Sequence, residues 1–294
     1  MARTFNGTNE HIAFGSDAAC DALTAFTAFA LVRPTASVTG EKQILTKMNT
    51  GFAGKIYIGL DATDKIFSYI TRASVACVSS TANGALTTNA WNVIVVTWPG
   101  AGSSTTIYCC LLGGVLVPVT SSQAAGSGTV FDDSAATLRV ATRDPFDATM
   151  YGGGLADFGL WNRVLSDIEL GDLGLGRSPE LMASGLVAGS RITGSASPEI
   201  NTAGGTNGTV TGSSLLTHPA TIYNVASAVQ LQRGARGEAT DLARFLVCLV
   251  CYQAGVQAVG ARGRMPGQRL WYGPRQPAQR GGERRRVGGV AGLQ

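Results

Sequence analysis

The sequence offers few side chains able to carry a reaction. It has only two histidines, His11 and His218. Neither lies beside a Gly-x-Ser-x-Gly elbow or a cysteine motif that a base could activate. His11 reads as an exposed strand residue, and His218, followed by Pro219, as a terminal turn. Cys248 and Cys251 make a Cys-x-x-Cys pair, but structural zinc needs four ligands and no second Cys or His pair accompanies it. The densest carboxylate group is Asp167, Glu169 and Asp172, in a segment with a helix-start signal, where it reads as a solvated face. These absences argue against an enzyme.

The elements that must position any site read as short apolar runs divided by Gly, Asn, Asp and Ser clusters. Strands are expected at 25–33, 43–47, 55–60, 65–70, 74–78, 91–98, 105–112, 115–119, 137–142 and 155–161. Turn chemistry such as NTGFAG, DATD, TANGA and PGAGSS fills the gaps. One strand per ten or so residues predicts a sandwich rather than βαβ units. In the last strand, Leu155, Asp157, Gly159 and Trp161 are expected on one face and Ala156, Phe158 and Leu160 on the other. Ser166 followed by Glu169 predicts a capped helix over SDIELGDLG. Ser178 with Pro179 predicts a second short helical start.

Composition agrees. With 39 Gly in 294 residues, 45% hydrophobic and only 14% charged, the chain suits many turns and few charged helix faces. Residues 1–223 hold twelve Lys and Arg against sixteen Asp and Glu, a net of −4; residues 224–294 hold eleven Arg and three acids, a net of +8. A mildly acidic body gives no reason to expect a nucleic-acid partner. The basic tail reads as a disordered segment, or as the product of a reading-frame error in GC-rich DNA. Its apolar run, 245–252, is too short to span a bilayer, and Gln253 and Gln257 keep the run from extending further. The start, MARTFNGTNEHIAFG, has no apolar run or cleavage site and does not read as a signal peptide. That fits assembly inside a cell, for example into a phage particle, or a domain trimmed by cloning. Cys20, Cys77, Cys109 and Cys110 are expected as free thiols, the last two on opposite faces of a strand. Trp91, Trp98 and Trp161 are expected as core anchors at strand ends.

Four segments, in order, carry a family resemblance. RTFNGTNEHIAFG is similar to an F-x-G-x-x-D-x-I entry strand. AFTAFALVRPTA and ILTKMNTGFAGKIYIGL are similar to F-T-I-x-A-W-V-R-P and I-x-x-K strands. WNVIVVTWPGAGSSTTIYCCLLGGVLV is similar to W-x-x-V-A-x-T-Y-x-G followed by I-x-L-Y-x-N-G. MYGGGLADFGLWNRVLSDIELGDLGLGRSPE is similar to F-x-G-x-I-D-x-V-x-I-W-N-R-A-L-S-x-x-E-I, the most specific of the four. Together they resemble the laminin G-like, concanavalin A-like lectin–glucanase superfamily over residues 3–180, in its small phage and bacterial single-domain form. There are departures: Leu112-Gly113-Gly114 replaces the Tyr-x-Asn-Gly hairpin, and Ala30–Val32 lack the usual Trp.

The resemblance implies an all-β fold at 1–223: a two-sheet antiparallel jelly roll with one or two short helices, closed by a strand from the stretch leading to Tyr223. The fold hosts many functions. Its glucanases carry E-x-D-x-x-E, which does not occur here. The implied function is non-catalytic: a carbohydrate-binding or adhesion module for a glycan or cell-surface polysaccharide, carried on a virion or an extracellular surface. The alternative of another class is a structural or decoration protein contacting other virion proteins. A sugar site is implied in loops or on the concave sheet, with Asn49, Phe52, Tyr57, Asn89 and Asn92 as candidates. Relatives often hold calcium with loop oxygens. The candidate ligands are Asp61 and Asp64 in GLDATDK, Asp132 and Asp133 in GTVFDDSAA, and Asp157 at the family's strand aspartate. The same aspartates also read as ordinary turn formers.

Overall fold

A computed structural model describes residues 1–35, 40–48, 54–142, 149–193 and 197–222. Asn49, Phe52, the Cys-x-x-Cys pair and the basic tail lie outside the described residues. The chain opens with β1 (Ala2–Asn6), β2 (His11–Ala13), β3 (Phe26–Pro34), β4 (Lys42–Met48), β5 (Gly54–Leu60) and β6 (Ile66–Ile70). It continues through β7 (Cys77–Thr81), β8 (Asn92–Trp98), β9 (Thr106–Leu111), β10 (Val117–Pro118), β11 (Thr120–Ala124), β12 (Leu138–Val140) and β13 (Gly152–Trp161). Helix α1 (Asp167–Gly174) and a 3₁₀ turn (Pro179–Met182) come next, then β14 (Leu186–Ser190), β15 (Thr209–Thr211) and β16 (Ser214–Leu216).

Two antiparallel sheets result. The first runs β10-β9-β8-β3-β13-β1-β16, and the second β11-β7-β6-β5-β4-β12-β2-β15. The long β13 serves two neighbours on one edge, pairing its first half with β1 and its second half with β14. The all-β sandwich expected from the sequence is therefore the fold.

Strands of the first sheet are continuously apolar because both of their faces are covered. From β8, Ile94, Val96 and Trp98 enter the core between the sheets, while Val93 and Val95 face outward into a second cluster under α1. Strand β3 divides likewise: Phe26, Ala28, Ala30 and Val32 inward, Phe29 and Leu31 outward. Trp161 also joins the outer cluster, its indole donating to the carbonyl of Met182 at 2.8 Å. The outer cluster therefore fixes α1 and the 3₁₀ turn on the first sheet. Ser166 and Glu169 form the expected capping box at the start of α1.

Several local expectations are corrected. Strand 74–78 slides to Cys77–Thr81, because Val75 is exposed and bridges only to Ser127. Expected strand 115–119 shrinks to Val117–Pro118, pairing with β9 in the first sheet, and an unexpected strand, Thr120–Ala124, follows it and pairs with β7 in the second. A bulge at Ala156 breaks the alternation in β13, so Leu155 joins Phe158 and Leu160 in the inner core, opposite Trp161. Cys109 and Cys110 do face opposite sides, and all four described cysteines are free thiols.

The C-terminal stretch closes both sheets, β15 pairing with β2 and β16 with β1. Its anchor is a buried ion pair, Arg3 Nε to Glu199 Oε1 at 2.5 Å, with Arg3 Nη1 also donating to Ser213. Removing one member of such a pair leaves the other charge buried. Arg3→Ala should therefore cost about 3–5 kcal/mol in urea denaturation, and the double replacement Arg3→Met with Glu199→Met should recover most of it. A loss below about 1 kcal/mol for Arg3→Ala would mean that the pair does not hold the closure.

Candidate functional site

The outer faces of the two sheets differ. That of the first lies beneath α1 and the 3₁₀ turn, whereas none of the described helical elements packs on that of the second. Period-2 alternation sets what the second sheet shows. In β6, Ile66, Ser68 and Ile70 are buried, while Phe67 and Tyr69 are half-exposed on the outer face. Register places Tyr69 beside Tyr57, Tyr57 beside Thr46, and Thr46 beside Arg139. In the next row Phe67 stands beside Gly59, and Gly59 beside Gln43.

Three aromatic rings thus share one surface. Tyr57 and Phe67 meet edge-on with centroids 5.0 Å apart. The tip of the Phe67 ring fills the space above Gly59, where a Cβ would come within 2.8 Å of it. Gln43 is fully buried next to them. Its Nε2 reaches the Tyr57 hydroxyl at 3.0 Å and Thr149 Oγ1, while its Oε1 has no hydrogen-bond partner. Either orientation of the amide leaves one polar end unmet, because both neighbours are hydroxyls that can donate or accept.

Of the described residues expected to form a sugar site, Tyr57 lies here, and it is 5% exposed. Asn89 and Asn92 belong to the first sheet's approach and serve structure. Asn89 takes the left-handed φ of +59° in the turn before β8, its N–H donating to Pro34 at 2.7 Å. Asn92 is buried and binds Thr87 and Ala90 through its amide. The presented rings, Phe67 and Tyr69, were readable from the alternation in IFSYI. Their importance became evident only once the covered face was known.

The family model for the concanavalin A-like lectin/glucanases superfamily matches residues 6–171. The chain belongs to this superfamily. Comparison with curated protein sequences gives no match. Among solved structures, it is similar to a Bacteroides ovatus ATCC 8483 protein assigned a carbohydrate-binding role, with TM-score 0.56 and 16% identity over 76% of this chain and 61% of that one. The chain thus spans about three-fifths of that protein. It is also similar to the Ruminococcus gnavus IT-sialidase CBM40 bound to α2,3-sialyllactose, at TM-score 0.41 and 12% identity over 59% and 95% of the two chains. A heptameric SAP-like pentraxin from Limulus polyphemus aligns at TM-score 0.37 and 13% identity over 59% and 81%.

The candidate calcium ligands of this concanavalin A-like domain have other partners. Asp61 Oδ1 accepts from Thr63 N, Thr63 Oγ1 and Lys65 N at 2.7–3.1 Å. Burial would raise its carboxyl, but these hydrogen bonds outweigh that and hold it below the ordinary carboxylate range. Asp64 closes the same turn at φ +55°. Asp132 is exposed and accepts from Ser134 N at 2.9 Å. Asp133 is buried, accepting from Ala22 N at 3.0 Å with Oδ2 3.9 Å from Lys47 Nζ. The fully buried Lys47 ammonium also donates to Asp21, Asp133 O and Ala136 O. Asp157 lies under the C-terminal stretch, 3.7 Å from His218.

Among the described residues, no three His, Cys, Asp or Glu side chains gather as metal ligands would. His11 is buried rather than exposed, and His218 is half-buried, 3.7 Å from Asp157. Glu169 and Asp172 are engaged in ion pairs with Arg163 and Arg177. The expected result is a melting temperature that is the same in 1 mM calcium and in EDTA, by scanning calorimetry. A rise of several degrees with calcium would require a site outside these carboxylates' present contacts.

Proposed function

We propose that this domain is a non-catalytic glycan-binding module whose site is the outer face of the second sheet around Phe67 and Tyr69. The observation that carries the reading is two half-exposed rings above a buried Gln43 whose amide has one end unpaired. Binding sites commonly combine apolar and aromatic walls with a few placed polar groups. A pyranose suits that combination, because its C–H face packs on an aromatic ring while its hydroxyls exchange hydrogen bonds at the rim. The similarity to a protein assigned a carbohydrate-binding role supports the same reading.

The strands of this sheet contain no Asp or Glu, so they supply no carboxylate pair for glycosidic cleavage, which needs two such groups. Contacts of this kind are individually weak. Display of many copies on a virion or cell surface would strengthen them through effective concentration. Binding to other particle proteins is the competing role.

Glycan-array binding of the full chain tests the reading, with Phe67→Ala and Tyr69→Ala as variants. Each is expected to weaken retention about tenfold or more, about 1.4 kcal/mol, while leaving the melting temperature within a few degrees and the bound glycan uncleaved. Undiminished binding by both variants would displace the site. No retention by folded wild type, together with ordered self-association, would favour the structural role.

A further inference from the structure

Residues 73–131 contain no Asp, Glu, Lys, Arg or His. This stretch supplies β7 to β11. Strand order puts β10 and β9 at one end of the first sheet, with β8 behind them, and β11 and β7 at one end of the second. Contacts of β7 and β11 with β9 bring these two ends together. One flank of the sandwich is thus built from a stretch that brings no charge to it.

The same flank holds an open sheet edge. Strand β11 is the last of the second sheet and pairs with β7 alone. Bridges from Ser127 to Val75 and from Val130 to Arg72 continue that edge beyond it. Residues 121–125 and 127–129 are all exposed. An edge strand turns alternate N–H and C=O groups outward, and proteins ordinarily guard such edges with charge, proline or cover. Strand β11 has a bulge at Ser121 but neither charge nor proline, and no described strand pairs with its outer side. The neighbouring edge of the first sheet is guarded by Pro118, in β10. Around these edges Val75, Val78, Leu111, Val115 and Val117 are exposed, Val115 by 80%. Apolar side chains grouped beside an open edge mark an interaction surface.

We propose that this flank is the interface between two copies of the chain, joined antiparallel through β11 about a two-fold axis. A two-fold contact sets a surface against itself, so a charge near the axis meets its own like charge. Residues 1–223 carry a net −4, and a flank without charges lets two such bodies approach free of that opposition. An antiparallel strand pair is self-complementary under the same axis. The opposite end of the sandwich is different. There Glu10 packs against Gly212 beside β16, and Asp17 accepts from the Thr206 amide before β15.

Pairing through β11 joins the two second sheets into one. Register sets Ser122 beside Ser80 and Ser80 beside Phe67, and Ala124 beside Val78 and Val78 beside Tyr69. Ser122 and Ala124 therefore share the outer face with the two rings. The axis stands perpendicular to the joined sheet, so both aromatic faces look the same way.

Sedimentation velocity of the full chain over a concentration series tests the interface. Wild type should form a dimer that grows no further, because a two-fold contact closes, and the dimer should persist in high salt. Ser122→Lys and Ala124→Lys each set a charge against its own copy. Each should weaken dimerisation about tenfold or more, with the circular dichroism of wild type retained. Leu215→Lys, at the exposed β16 edge of the opposite end, should leave the dimer intact. A wild type monomeric at every concentration, open-ended assembly, or a dimer indifferent to both β11 charges would overturn the proposal. So would a dimer that dissolves as salt screens charge, which would assign association to the basic tail.

Discussion

Phe14, at the end of β2, and Phe158, in β13, meet across the sandwich with ring centroids 4.9 Å apart. Around this contact, the inward residues of both sheets form one continuous core. Each such side chain contributes about 1.5–3 kcal/mol on burial, against about 1 kcal/mol net for a hydrogen bond, so inner-face packing decides strand register. Register then dictates what looks outward. A one-residue slip of β6 would bury Phe67 and Tyr69 and turn Ser68 to solvent. The aromatic surface is thus a by-product of a core that admits only one alternation. The outer face of the first sheet is different, because Phe29, Leu31, Val93, Val95 and Trp161 need their own cover and α1 supplies it.

Charges inside the domain obey a second constraint, that a buried ion must be paired. Lys47 gathers Asp21 and the Asp133 loop, Arg3 holds Glu199, and Asp157 meets His218. Each pair joins residues far apart in sequence and ties a loop or terminus to a sheet. Aspartates in loops of this fold invite a metal reading from sequence. In this chain Asp133 is buried beside Lys47, Asp157 is buried 3.7 Å from His218, and Asp61 spends its oxygen on the amides of its own turn.

The central strands were legible because both faces are buried and their apolar runs cannot be mistaken. Expected strand 91–98 is found at Asn92–Trp98, and 25–33 at Phe26–Pro34. The capped helix was legible because Ser166 and Glu169 act locally. What could not be read depends on distant partners. The stretch leading to Tyr223 was expected to supply a closing strand, but its division into β15 and β16, three residues each, depends on the edges that β2 and β1 offer about 200 residues earlier. His11 is buried for the same reason, since Thr211 pairs over it. The bulge in β13 has no sequence mark, yet it sets Leu155 on the opposite face from Trp161. Of the sugar-site candidates, Tyr57 came from a readable strand, whereas the turn geometry of Asn89 and the contacts of Asn92 with Thr87 and Ala90 are local details that a loop composition does not specify.

The central claim is that the outer face of the second sheet around Phe67 and Tyr69 is the binding surface. Its most direct test is to map backbone and aromatic NMR shifts of the full chain on titration with a retained oligosaccharide. The expected perturbations cluster at Gln43, Tyr57, Phe67 and Tyr69 and leave α1 and β8 unaffected. Perturbations confined to the Asn89–Asn92 turn or to the α1 side, with the aromatic face silent, would contradict it.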